Sequence, residues 1–405
     1  MNVRAVVICL LLALAACGGP SLGGGNCCEV TVNVTVPEGS GTVYMPGNRP
    51  ELGPWSPDAY AMSGDGPVRT ATLSIPKGST FEYKFTLGSW ERQAVDTDNR
   101  ELVNFRVVVT EHLSVDHEIR QFRDDPLVFI EDWQGSDVKG TLVYWTDVES
   151  DFLDYPRNVA IWLPPGYDEA GDARYPVLYM HDGMVLFDPR FGGGGGGDIW
   201  EVDDVVVELI EEGRIRPVIV VGAWNSQDRF REYSPWHGAP DYARFLIEEL
   251  MPRVNAEFRT LTGPADTAAM GASMGGLLSW YLVTRHPDNF GACGCMSSSM
   301  HLSERVIGEW AAQMAVDDPD ETPFIVRDIE NGLVPPDGVR YWLDYGSLEA
   351  DPFAEPHDAI HAWLVDSGLE EGDDFVLRVY EGAGHNEAAW SARMADPLVF
   401  IFGNR

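Results

Sequence analysis

Hydrophobic and polar residues alternate with a period of two early in the chain, most clearly in the run Val-Thr-Val-Asn-Val-Thr-Val at 30–36. Such alternation puts every second side chain on one face, as a strand with one buried face requires. Related stretches follow at 42–45, 69–75, 80–86 and 105–110, separated by Gly, Pro and Asn turns. Short strands at this spacing predict a β-sandwich over residues 29–122. Residues 123–139 read as an acidic, aromatic connector.

The pattern changes over residues 140–405. The stretches at 175–180, 217–221 and 291–296 are apolar without alternation. Between the strands, 203–212, 241–258 and 358–367 read as helices, and 341–345 and 375–380 as further strands. Continuous apolar strands alternating with helices predict a parallel sheet covered on both faces. The expected fold is therefore α/β, preceded by a small all-β domain.

One stretch of the second domain carries chemistry. Gly271-Ala-Ser-Met-Gly-Gly276 follows an apolar strand and opens a helix-like run. Strand, Gly-x-Ser-x-Gly, helix is the nucleophile-elbow pattern of an α/β-hydrolase sandwich, in which the serine sits on a strained turn above the sheet. Ser273 is the candidate nucleophile. The amide of Met274 opens the helix and can face a developing oxyanion. A second amide is expected from the loop after the 175–180 strand, where Met184 is assigned and Gly183 is the fallback. His181 in that loop reads as structural. The partners should follow in the order acid, then histidine. His385 lies in a Gly-rich loop after the last strand. For the acid, Asp344 sits inside a strand, whereas Glu349 lies on the loop beyond it. Glu349 is the choice, and Asp351 is its rival. This chemistry needs no cofactor.

Charge narrows the partners. The chain of 405 residues has 28 basic and 64 acidic residues, a formal net charge of -36. Such a surface repels nucleic acid and anionic membranes and suits neutral substrates such as sugar esters. The N-terminus changes the expected location. Arg4, an apolar run at 5–14 and small residues before Cys17 make a secretory signal over residues 1–16. Leu14-Ala-Ala-Cys17 resembles the bacterial lipobox, which implies lipidation of Cys17, followed by a tether over 17–28. Membrane contact is then through the lipid alone, on an exported lipoprotein of the outer membrane or cell envelope. Cys293 and Cys295 share one strand face and read as buried thiols. Among the histidines and cysteines, no spacing of a zinc site is present.

Two resemblances complete the reading. Residues 29–122 resemble the family-20 starch-binding module in Glu51-Leu-Gly-Pro-Trp55, Ile75-Pro-Lys-Gly-Ser-Thr-Phe-Glu-Tyr-Lys-Phe85 and Trp90-Glu91. That resemblance implies a site for a starch-like glycan at Trp55, Lys84 and Trp90. Residues 140–405 resemble the esterase D-like family, which takes in enterochelin esterases, feruloyl esterases and mycolyltransferases. The carriers are Tyr175-Pro-Val-Leu-Tyr-Met-His-Asp-Gly183, Arg231-Glu-Tyr-Ser-Pro235, Gly271-Ala-Ser-Met-Gly-Gly276, Gly346-Ser-Leu-Glu349 and Gly384-His385. The resemblance implies a serine esterase acting on a small-molecule or glycan ester through an acyl-serine. An acyltransferase with the same triad and a non-catalytic glycan-binding lipoprotein are the alternatives. Arg231 is expected to fix a loop rather than touch substrate. The six glycines at 192–197 read as a surface loop, with a hinge for a flap over the site as the alternative.

Overall fold

The first strand, β1 (Cys27–Thr35), buries Cys28, Val30, Val32 and Val34 and turns the residues between them outward. It pairs antiparallel with β2 (Val68–Pro76) and parallel with β6 (Leu113–Glu118). Two further pairs close the layer opposite, β3 (Thr80–Tyr83) with β5 (Phe105–Val108) and β4 (Ala94–Val95) with β7 (Gln121–Phe122). Val30, Val32, Leu73, Phe81, Tyr83 and Phe85 share one core between them. This is the small all-β domain expected from the period-two pattern. The expected strand at 42–45 is reduced to isolated bridges at Tyr44. The computed structural model describes residues 27–123, 138–303 and 322–403, apart from 54, 98–101, 103, 169–170, 192–198 and 227. The signal segment, Cys17 and the glycine run at 192–197 lie outside the described residues.

The α/β domain is built on eight strands: β8 (Thr141–Val148), β9 (Arg157–Leu163), β10 (Val177–Met180), β11 (Ile219–Ala223), β12 (Thr267–Ala272), β13 (Ala292–Met296), β14 (Arg340–Gly346) and β15 (Phe375–Tyr380). Their order across the sheet is β15-β14-β13-β12-β10-β11-β9-β8. Six of them run parallel, from β15 to β11. The fully parallel expectation is corrected at one edge, where β9 pairs antiparallel with both β11 and β8. The reason is the connection. Only residues 149–156 join β8 to β9, and a parallel return needs a crossover of a dozen or more residues.

Burial on both faces explains the unbroken apolar runs. Val177 and Tyr179 of β10 face one core, and Leu178 and Met180 face the other. Cys293 and Cys295 point into the first core as buried free thiols. Helix α1 (Val202–Glu211) covers the second face, and α2 (Met274–Arg285) covers the first. The parallel strands all end at one edge, and the loops there carry the candidate chemistry.

Candidate active site

At the end of β12 the chain turns directly into α2. Ser273 forms the turn with φ 57° and ψ −122°, a conformation that strains any residue with a Cβ. The turn exists because strand and helix come very close. A Cβ on Gly271 would lie 2.7 Å from the carbonyl carbon of Gly275, so only glycine fits there. The Ser273 amide donates to Met296 O at 3.0 Å, and its carbonyl accepts from Ser299 N at 3.0 Å. These bonds hold the strained residue from both sides. The Ser273 hydroxyl lies 3.3 Å from the Ser299 hydroxyl.

His385 follows β15 at the same edge. Its Nδ1 lies 2.5 Å from Glu349 Oε1. Glu349 closes a 3-10 turn, Ser347–Glu349, after β14, and its side chain is 3% exposed. Oε2 of the same carboxylate accepts from Gly346 N at 2.6 Å and from the Ser297 hydroxyl at 2.8 Å. Burial acts to raise this carboxyl, but the bonds from His385, Gly346 and Ser297 outweigh it and hold it below its ordinary value. An ionised carboxylate only accepts, so Nδ1 of His385 carries the hydrogen and Nε2 is left as the acceptor. The edge of the imidazole packs against Trp390 at 5.0 Å between ring centres.

A second layer, not visible in the motifs, supports the acid. Ser297 accepts from Trp390 Nε1 at 3.0 Å and from Arg393 Nη2 at 2.6 Å. Arg393 also donates through Nε to Asp344 at 3.0 Å, and Trp342 Nε1 donates to the other Asp344 oxygen at 2.7 Å. Asp344 is therefore fully engaged inside the domain, as its place within a strand led one to expect. The side chain of Asp351, the rival acid, is outside what the structure describes.

The second amide is expected from the loop after β10. Asp182 adopts φ 58°, and the turn Gly183–Val185 follows, closed by Val185 N on Asp182 O at 3.1 Å. That geometry leaves the Gly183 and Met184 amides without an acceptor inside the turn. A Cβ on Gly183 would lie 2.2 Å from Gly222 O, so the loop can lie this low on β11 only with glycine there. The Met274 amide is likewise a first-turn donor that its own helix leaves unused. Asp182 anchors the loop. Arg229 grips its two oxygens through Nε at 2.6 Å and Nη2 at 2.7 Å, and Asn225 donates to it at 2.7 Å. Burial acts to raise the Asp182 carboxyl, yet the Arg229 guanidinium keeps it below its ordinary value. His181 is buried between Tyr233 and Tyr242, which fits its structural reading. Arg231 bonds Asp228 and Asp154 at the surface, while Glu232 forms a buried pair with Arg157 at 3.1 Å. This stretch fixes a loop, and the arginine at the site is Arg229 instead.

Ser273, His385 and Met184 line one cleft of about 420 Å³. Its opposite wall comes from the β domain. Trp55, Lys84 and Trp90, the candidate sugar-binding residues, line the same cleft. The structure thus brings both sets of sequence-derived candidates together, although they were read as two separate sites. A larger groove of about 630 Å³ lies at the opposite ends of the strands, around Thr267, Ala292 and Arg340, and includes none of these residues.

Comparison with known proteins agrees with both halves. The family described as Putative esterase matches residues 150–401, and the family described as Starch binding domain matches residues 27–117. An uncharacterised protein of Bacillus subtilis, YbbA, is 22% identical over 61% of this chain and 93% of its own length. An endo-1,4-beta-xylanase/feruloyl esterase of Xylanibacter ruminicola is 30% identical over 37% of this chain and 20% of that protein. Among solved structures, the ferric enterobactin esterase of Salmonella typhimurium superposes with a TM-score of 0.52 at 15% identity. It covers 89% of this chain and 88% of that one. The last similarity is one of fold.

Proposed function

The chain belongs to the putative esterase family, and from that premise we propose that it is a serine-dependent carboxylic ester hydrolase. Ser273 Oγ attacks the acyl carbonyl carbon while His385 Nε2 takes the hydroxyl proton. The carbonyl oxygen becomes an oxyanion, which the Met184 and Met274 amides receive. When the tetrahedral species collapses, the alcohol leaves with the proton from His385 and the acyl group stays on Ser273. Water then attacks the acyl-serine and gives its proton to His385. The second collapse returns that proton to Ser273 Oγ and releases the acid. Glu349 keeps the Nδ1 hydrogen in place and stabilises the imidazolium at each step.

The observation that carries this reading is the pairing across one cleft. A strained serine at a strand-to-helix turn shares the cleft with a histidine whose far nitrogen is held at 2.5 Å by a buried carboxylate. The test is hydrolysis of p-nitrophenyl acetate and butyrate by the wild type beside Ser273→Ala. A loss of about 10⁴-fold or more in kcat is expected. Activity that survives in Ser273→Ala would move the nucleophile elsewhere. An acceptor alcohol could replace water in the second half-reaction, and product analysis with added sugars separates hydrolase from acyltransferase. The leader segment supports an exported lipoprotein, and membrane fractionation of wild type against Cys17→Ser tests that.

A further inference from the structure

Trp55 and Trp90 do not stand on an open face of the β domain. They look across the cleft at the candidate nucleophile. Their ring centres lie 6.4 Å apart with the planes inclined by 44°, so together they make one bent aromatic platform. Trp55 holds this position with φ 57°, a left-handed conformation that is a rare outlier for a bulky residue. Its amide is tied to Gly47 O at 2.8 Å. Backbone strain of this kind persists only where the surroundings enforce it, and it gathers at ligand sites.

Amine and carboxamide groups lie around the platform, and the Glu387 carboxylate lines the same cleft. Lys84, Gln93 and Asn104 all line this wall. Gln93 is 5% exposed, and its carboxamide oxygen has no hydrogen-bond partner among the described residues. An unanswered buried acceptor costs stability and calls for a donor such as a hydroxyl. Lys84 adds an amine to the same wall, pushed down to about 7 mainly by burial, with Arg123 adding to the effect and Glu387 opposing it. The facing wall carries Phe191, Trp200 and Trp390 near His385, apolar surface suited to an acyl chain, beside the Asp182–Arg229 ion pair and the Glu387 carboxylate. A flat indole pair ringed by amide and amine groups matches a pyranose, whose faces are apolar and whose rim is hydroxyls.

On these grounds, and resting on the esterase reading of Ser273, we propose that the β domain supplies the alcohol subsite of the active site. Its occupant is the sugar ring of a soluble acylated mono- or disaccharide, stacked on Trp55 and Trp90 with its ester over Ser273. A cleft of about 420 Å³ falls in the size range of sites that enclose one small ligand, roughly 300–1,000 Å³. That is room for one such sugar ester. The starch-binding scaffold then selects the substrate and does not tether the enzyme to a polymer.

The experiment uses the full chain. A fluorophosphonate probe is added with and without maltose, and labelling of Ser273 is followed by mass spectrometry. Maltose is expected to slow labelling of the wild type, and Trp90→Ala is expected to abolish that protection. In parallel, kcat/KM is measured for 6-O-acetylmaltose and for p-nitrophenyl acetate. The ratio of the two is expected to fall at least about tenfold in Trp55→Ala and in Trp90→Ala. Absence of labelling at Ser273 would remove the esterase reading itself. Labelling that maltose does not slow, with an unchanged substrate ratio, would leave that reading standing and overturn the sugar subsite. Retention of the wild type on insoluble starch while Ser273 stays open to the probe would also overturn it, since the indoles would then serve an outside surface.

Discussion

The guanidinium carbon of Arg123 lies 4.5 Å from the centre of the Phe191 ring. The first residue ends the described part of the β domain, and the second belongs to the α/β domain beside the cleft. Arg123 is 2% exposed and donates its backbone amide to Gln93 O at 2.9 Å, so the contact is desolvated and tied to the β-domain wall of the cleft. A buried cation–π contact is worth about 2 kcal/mol. Replacing Arg123 with Met keeps most of the volume and removes the charge. We expect calorimetry of Arg123→Met to show the two domains melting in separate transitions, at lower temperature than the wild type. An unchanged transition would mean that the two walls of the cleft are held together by other contacts.

The choice of acid is open to direct trial. Glu349 holds His385 and is itself held by two further donors, Ser297 and Gly346. Glu349→Gln keeps the shape but puts a donor where an acceptor is needed, which disturbs the histidine tautomer. A fall of about 10³–10⁴ in kcat is expected, with little change in KM. Asp351→Asn should stay near wild type in the same assay. The reverse result would transfer the role to Asp351.

Much of the candidate site was readable because the proposed chemistry has a fixed chain order and a fixed turn. Ser273 announces itself through glycines that only a close strand-to-helix approach requires, and His385 through a glycine-rich loop after the last strand. What supports them was not readable. Ser297 and Arg393 act through contacts 96 residues apart, and Arg229 reaches Asp182 across 47 residues. No local spacing encodes such pairs, although three serines after a buried strand at 297–299 were a usable hint. The fold shows the same division. The strands at 30–36 and 175–180 follow from period and burial, while β6 was missed because Asp116, His117 and Glu118 dilute its apolar signal. One of its faces is half-buried and the other exposed, so it needs no second apolar face. That the two sites are one cleft depends on how the domains dock, which periodicity does not report.

Asp344 and Arg393 form a buried pair at 3.0 Å, with side chains 0% and 3% exposed. Burial raises the Asp344 carboxyl while the Arg393 guanidinium works against it. Breaking such a pair from one side strands a charge and costs about 3–5 kcal/mol. Arg393→Met should therefore destabilise strongly in urea, and it should also lower kcat because Ser297 and Glu349 lose a shared neighbour. Asp344→Asn combined with Arg393→Met should recover part of the stability but not the kcat. Purely additive losses in this double-mutant cycle would show that the two residues act independently.

Acid should weaken the fold through histidines rather than through the candidate triad alone. His181, His301 and His357 are each lowered to about 4, in every case mainly by burial. Proximity to His385 lowers His301 further. In the unfolded chain a histidine titrates near 6.5, so between pH 6.5 and 4 the unfolded state binds more protons than the native one. Stability contributed by the neutral rings is thus complete above about pH 6.5 and is lost as the pH falls toward 4. Each histidine accounts for roughly 3 kcal/mol by pH 4. His181 is the cleanest to test, because its Nε2 has no partner among the described residues and its ring packs between two tyrosines. Melting temperatures of wild type and His181→Phe should converge toward pH 4, the variant losing less over that range. Curves that stay parallel from pH 7 to pH 4 would show that His181 is not a source of the acid sensitivity.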